Sequence, residues 1–142
     1  MRTLGIVLDT NVVVSAMKSK RGASYALLEK IYSDEVILHL SVPLVLEYEE
    51  VLSRVEFAFP QALVAGIIDD LCSVGIHHEV YFLWRPYLKD PDDDFVLELA
   101  LRSECDYLVT HNVRDFAGID KLGITVITPK ELLALIRDMP NE

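Results

Sequence analysis

The sequence predicts an α/β fold, with a central parallel sheet of about five strands held between two layers of helices in an α/β/α sandwich. Three observations lead there. Short apolar runs recur along the chain, separated by segments with helical spacing. The runs are apolar almost throughout rather than alternating, as in strands covered on both faces. Polar residues gather just past the carboxyl ends of these runs. Strands separated by helices indicate βαβ units joined by right-handed crossovers.

The first strand spans residues 4–8 and ends abruptly in "LDTN", with Asp9 at its carboxyl end. Thr10 and Asn11 make a small polar turn into a short helix at 12–17, followed by the loop "KSKRG". A helix at 24–32 has Ser24 as its candidate cap. "VILHL", 36–40, is the second buried strand. The helix at 43–55 is entered through Ser41-Val42-Pro43, proline being suited to a first helical position. A helix at 60–74 precedes a third strand at 80–83. The acidic turn "DPDDD", 90–94, opens a helix at 95–103. "YLVT", 107–110, and "ITVIT", 124–128, are strands four and five, and the last helix covers 129–138. Repeats, low-complexity stretches and linkers are absent, so residues 1–142 are expected to form one domain.

Composition narrows the function classes. A chain of 142 residues can bury a real core. A hydrophobic content of 51% and a mean hydropathy of +0.28 exclude a disordered chain. No apolar run reaches the length of a membrane span. Arg2 is the only basic residue ahead of the first strand and there is no small-residue cleavage site, so no signal peptide is expected. Cys72 and Cys105 lack metal-type spacing and read as buried reduced thiols of a cytoplasmic protein. With 13 basic against 23 acidic residues, the net charge of −10 does not suit a general nucleic-acid binder, because phosphate contacts need Lys and Arg. Clustered carboxylates around a divalent cation would reverse the local sign.

In an open parallel sheet the carboxyl ends of the strands share one edge, where ligands bind. Carboxylates from four strand-helix junctions fall there. Asp9 follows strand one, and Glu47 lies early in the helix after strand two. Asp92, Asp93 and Asp94 open the helix after strand three, and Asn112 and Asp115 follow strand four. Capping explains each of these acids singly, but it does not predict their common company. Glu47 stands three residues after Leu44 and four before Val51, beside the buried face of its helix. A carboxylate placed there is either a snorkelling structural residue or a metal ligand. Asp94 is the best placed of the Asp run, next to Phe95, Val96 and Leu97, with Asp93 second. Thr110 and Asn112 can hydrogen-bond carboxylates or water, and Asp115 either completes the acidic cluster or caps a turn.

Carboxylates alone match oxygen coordination of a hard ion, Mg²⁺ or Mn²⁺. No His/Cys set has zinc spacing, and His77-His78 read as exposed loop residues. Gly-rich phosphate loops and Gly-x-Ser-x-Gly elbows are missing. A carboxylate-held metal points to phosphodiester hydrolysis. Lys18, Lys20, Arg21 and Arg114 are candidate contacts to a substrate backbone, or else solvated loop residues.

"VLDTNVVVSA", "SVPLVLEYEEVL", "DPDDDFVLELAL" and "CDYLVTHNVRDF" followed by "ITVITPKELL" together resemble the PIN-domain family, and most closely its toxin–antitoxin subgroup. The resemblance covers nearly the whole length. It implies a three-layer α/β/α domain that cleaves RNA with Mg²⁺ or Mn²⁺. By motif position it carries catalytic acids onto Asp9, Glu47 and Asp94, with Asp93 beside them as a further metal-site candidate. The fourth role goes to Asp115, with Asn112 as a ligand or water-positioning partner and Asn11 and Thr110 in support. His111 departs from the small or basic residue usual at its position. The resemblance also implies a homodimer or higher homo-oligomer and an antitoxin partner, often one that places an Arg in the acidic pocket. Two other classes stay open. A receiver-like signalling domain would need an acidic pair after strand one and a Lys after a late strand; this chain has Asp9 alone and Thr128-Pro129-Lys130. A non-catalytic adaptor would bind metal without turnover.

Overall fold

The computed structural model describes residues 3–80 and 91–139. Its strands are β1 (Leu4–Leu8), β2 (Val36–Leu40), β3 (Ile76–His77), β4 (Tyr107–Val109) and β5 (Val126–Ile127). Its helices are α1 (Thr10–Lys18), α2 (Ala23–Tyr32), α3 (Val42–Leu52), α4 (Gln61–Val74), α5 (Pro91–Ser103) and α6 (Pro129–Arg137). The strands form one sheet in the order β3-β2-β1-β4-β5, and every pair is parallel. Right-handed crossovers from β1 to β2 and on to β3 place α2 and α4 on one face, and the return to β4 places α5 on the other. The packing agrees: α2 and α4 lie on β2, while α5 spans β1, β2 and β4. This is the expected three-layer α/β/α sandwich.

All five residues of β1 are buried, which is why the run carries no alternation. The core gathers around Ile6, Leu8, Leu38, Leu40, Leu44 and Tyr48, all fully buried. Each such aliphatic side chain contributes about 1.5–3 kcal/mol relative to exposure. The order of strands reverses at β1: the chain leaves it toward β2, and later returns to its other side with β4. The crevice outside Leu8 and Val109 is therefore the topological switch point, where open α/β sheets bind ligands.

Several expected boundaries move. The third strand of the described sheet is Ile76–His77, not 80–83; residues 81–83 lie outside the described residues. Both Ile76 and His77 are exposed, so this edge strand has no apolar signature to read. The two histidines do not form an exposed loop pair: His77 is in the ladder opposite Leu40, and His78 is half-buried. Ser24 does not cap α2; Gly22 does, and Ser24 is buried inside the helix. α3 stops at Leu52, and Val55–Phe57 forms a separate 3₁₀ turn. β5 is shortened from both ends, because Gly123 ends a left-handed turn and Thr128 is taken as the cap of α6. Lys130 is exposed on that helix. Both cysteines are half-buried and free, and burial pushes the Cys105 thiol up to about 11. It stays protonated and weakly nucleophilic at neutral pH.

β3 is fastened to β2 by more than its ladder. His78 N–H donates to Leu40 O, and His39 Nδ1 lies 2.8 Å from His78 Nε2. One proton between the two rings makes this bond, and a second would break it by charge repulsion. Burial, then His78, push the His39 imidazole below its ordinary value, with Asp106 opposing. Burial, then Arg102 and His77, do the same to His78. The folded chain therefore prefers both rings neutral. Their contribution is complete above the free-imidazole value of about 6.5 and is lost as pH falls through the depressed folded values. Urea unfolding followed across this window should show stability falling with acidification, and a smaller fall in His39→Asn.

Gly75 closes α4 where a Cβ would meet Leu40 Cδ1 at 2.4 Å and Leu71 O at 3.0 Å. Leu40 is fully buried and cannot swing away. Gly75→Ala is expected to destabilise by about 1–3 kcal/mol through overpacking, read as a lower urea midpoint at unchanged slope.

Candidate active site

The switch-point crevice begins with Asp9. Its backbone N–H continues the sheet by donating to Val109 O at 2.9 Å. Its side chain caps α1, accepting from Thr10 N at 2.8 Å. It also accepts from Thr110 Oγ1 at 2.8 Å and Asn11 Nδ2 at 3.2 Å. Asp9 is only 6% exposed. Three donors on one buried carboxylate offset the cost of removing its charge from water. Capping and a place in the cluster thus coexist in one side chain.

A second bundle of contacts brings α3 to the same point. Thr10 Oγ1 donates to Glu47 Oε2. The hydroxyl of Tyr48, fully buried, donates to Leu8 O. Burial, then the charges of Asp9 and Glu47, push that phenol well above its ordinary value, so it remains a donor. Glu47 is half-buried at the border of the helix face, as its spacing predicts.

The loop after β4 supplies the third side. Thr110, fully buried, accepts from Asn112 N at 3.0 Å and Asn11 Nδ2 at 3.2 Å while donating to Asp9. Asn11 Oδ1 accepts from His111 N at 3.2 Å. His111 Nε2 is 2.9 Å from Ser24 Oγ, which explains why Ser24 is buried inside α2 rather than capping it. Asn112 and Asp115 are both exposed on this anchored loop.

These elements enclose a pocket of about 580 Å³, within the size range of small-ligand sites. Asp9, Asn11, Lys18, Glu47, Asp93, Asn112 and Asp115 line it, all of them singled out by the sequence. Thr110 supports it from behind. Asp94 is 2% exposed and lies off the lining, so Asp93 is the member of the acidic run on the pocket wall. Lys20, Arg21 and Arg114 are exposed and do not line it. The wall also contains Thr10, Arg54 and Phe57, which sequence reasoning missed. Arg54 had a signal, since 47, 51 and 54 recur on one helical face. Phe57, in a 3₁₀ turn, had none. Glu98 was also missed: it lies one turn beyond Asp94 on α5 and is buried at 6% exposure.

The donor set is all oxygen, from four carboxylates on separate elements, and its chemistry fits a hard divalent cation. Among the described residues, no three carboxylate, imidazole or thiol groups stand gathered around one point as the side chains lie.

A family profile described as the PIN domain matches residues 5–114, from within β1 to the loop after β4. The chain belongs to the PIN-domain family. That span takes in Asp9, Glu47, Asp93, Asp94 and Asn112 and stops just before Asp115. Among solved structures, this PIN chain is similar in fold to one described as VapBC2 from Rickettsia felis bound to a DNA fragment from the promoter. That match has a TM-score of 0.60 and 14% identity, covering 88% of this chain and 98% of the other. A structure of VapBC-1 from nontypeable Haemophilus influenzae matches with a TM-score of 0.56 and 17% identity, covering 89% and 99%. No curated protein sequence matches the chain. No helix among the described residues is long and apolar enough to cross a membrane.

Replacing Thr110 with valine keeps its shape and removes the hydroxyl that joins Asp9 to the Asn112 amide. Thr110→Val is expected to cost about 1–3 kcal/mol for the buried groups left without that partner. Urea unfolding measures the loss.

Proposed function

We propose that this PIN-domain protein is a metal-dependent endoribonuclease, the toxin of a toxin–antitoxin pair. The observation that carries the reading is the meeting of Asp9, Glu47, Asp93 and Asp115 in one pocket at the switch point. Family membership supports it, as does the likeness in fold to the two VapBC structures. An acidic pocket in an acidic chain suits phosphate only if a cation is bound there.

Asp9, Glu47 and Asp93, which line the pocket, would hold Mg²⁺ or Mn²⁺, with Asp94 buried beside them. The ion would supply Lewis-acid polarisation of the scissile phosphate and a lowered pKa for water. The chain's own groups do the rest. Asn11 and Thr110 hold the Asp9 carboxylate in one orientation. Thr10 does so for Glu47. Asp115 and Asn112 orient the attacking water from the loop that His111 and Ser24 anchor. Lys18 and Arg54 balance substrate phosphates at the pocket's other wall. The protein works as a homodimer and is restrained by an antitoxin partner, for which an Arg in the acidic pocket is the fitting contact.

The test uses a panel of labelled RNAs with pure protein in Mg²⁺, in Mn²⁺ and in chelator, beside Asp9→Asn. Metal-dependent cutting is expected in the wild type. Asp9→Asn should lose it by several orders of magnitude while keeping the wild-type circular dichroism spectrum. Metal binding has its own readout, since a cation that binds the folded state raises the melting midpoint. The rise should appear in the wild type and vanish in Asp9→Asn. Full turnover in the mutant would refute the assignment; a rise in midpoint with no cutting of any RNA would favour an adaptor.

A further inference from the structure

We infer that Phe57, with Lys18 and Arg54, forms a subsite in this pocket for one unpaired base of the substrate strand and the phosphate beside it. The inference rests on the nuclease reading for its ligand and for the two cations, and adds the ring of Phe57, which that reading does not use.

The pocket has two chemically different walls. One is acidic. The other carries Lys18 from α1, Val51 and Arg54 from α3 and just beyond it, and the ring of Phe57. Val51 is one helical turn, about 5.4 Å, past Glu47. Arg54 and Phe57 follow in the turn after α3 and line the same pocket. A strand whose phosphate meets the acids would meet this wall with its neighbouring nucleotide.

The ring is held as a platform. Phe59 stacks on Phe57 with centroids 5.6 Å apart and planes 12° from parallel. The turn is closed by Ala58 at φ 54°, in the left-handed region that non-glycine residues seldom adopt. Lys18 Nζ lies over the Phe57 ring, 4.8 Å from its centroid. Phe57 is half-buried and Lys18 exposed, and an ammonium over a ring at the surface is a weak contact that a ligand can displace. A nucleobase has more stacking area than an ammonium, and every base has a π-face to offer. When a base takes the ring, Lys18 is released beside the phosphate that arrives with it. Arg54 is similarly available, because its ion pair to Glu50, at 3.1 Å, is exposed and screened by solvent. The ring takes the base while the two cations take the backbone, which is how single strands are bound without sequence readout. A duplex cannot use the platform, since its bases are already stacked on one another.

The test measures fluorescence anisotropy of the full-length protein in Ca²⁺ with three labelled probes: an eight-nucleotide oligoribonucleotide, an abasic strand of the same length and phosphate count, and a blunt duplex of that length. The wild type should bind the ordinary strand roughly tenfold more tightly than the abasic one, and the duplex no better than the abasic one. Phe57→Leu keeps a bulky apolar side chain without the ring and should bind both single strands alike. Phe57→Tyr keeps the ring and should restore the preference. Lys18→Ala and Arg54→Ala should weaken both single strands about equally. Equal binding of ordinary and abasic strands by the wild type, no binding of either, or a preference that survives Phe57→Leu would each overturn the inference. The RNA-cutting panel reports separately on the nuclease reading: base preference without cutting would overturn that reading and leave the subsite in place.

Discussion

The site depends on one buried carboxylate held where two strands end. Asp9 leaves β1 as backbone, pairing with Val109, and turns its side chain onto Thr110 at the end of the neighbouring strand. A charge at 6% exposure would destabilise the fold unless donors surrounded it. Thr10, Asn11 and Thr110 supply them, and each then fixes something else. Thr10 reaches Glu47 on α3, and Asn11 takes the His111 amide. Thr110 takes the amide of Asn112. The need to satisfy one carboxylate thus fixes the positions of α1, α3 and the loop after β4 relative to one another.

The same economy explains why function and stability are mixed in these residues. Asp9 is a helix cap and a pocket wall at once. Tyr48 is core by burial, yet its hydroxyl ties α3 to the last residue of β1, next to the pocket. Rigid elements hold the acids, while a short loop, anchored through His111 to Ser24, presents Asn112 and Asp115. A site built this way keeps its orientation without relying on loop order.

The fold was legible because its signals are local. Continuous apolar runs mark buried strands, and helical spacing marks the helices between them. The parallel sheet follows from the alternation of strands with helices, and the shared edge of carboxyl ends follows from the parallel order. β3 was not legible, because an exposed edge strand of two residues needs no apolar code. The role of Ser24 was misread for a related reason: serine near a helix start is usually a cap, and its partner here, His111, is 87 residues away.

The sequence by itself determined which acids share the sheet edge, since each is attached to a strand end or an adjoining helix start. It also placed Asn11, Thr110 and Asn112 among them. Tertiary structure alone decided which face the pocket. Asp93 and Asp94 are adjacent and chemically identical, and only the seating of α5 turns the first to the wall and buries the second. Among the cations, Lys18 and Arg54 were selected over Lys20, Arg21 and Arg114 because α1 and α3 converge on Asp9 and Thr10. Phe57 entered through a turn with no periodicity to announce it. Helical and strand periods are properties of neighbouring residues, whereas a pocket is made where distant segments meet.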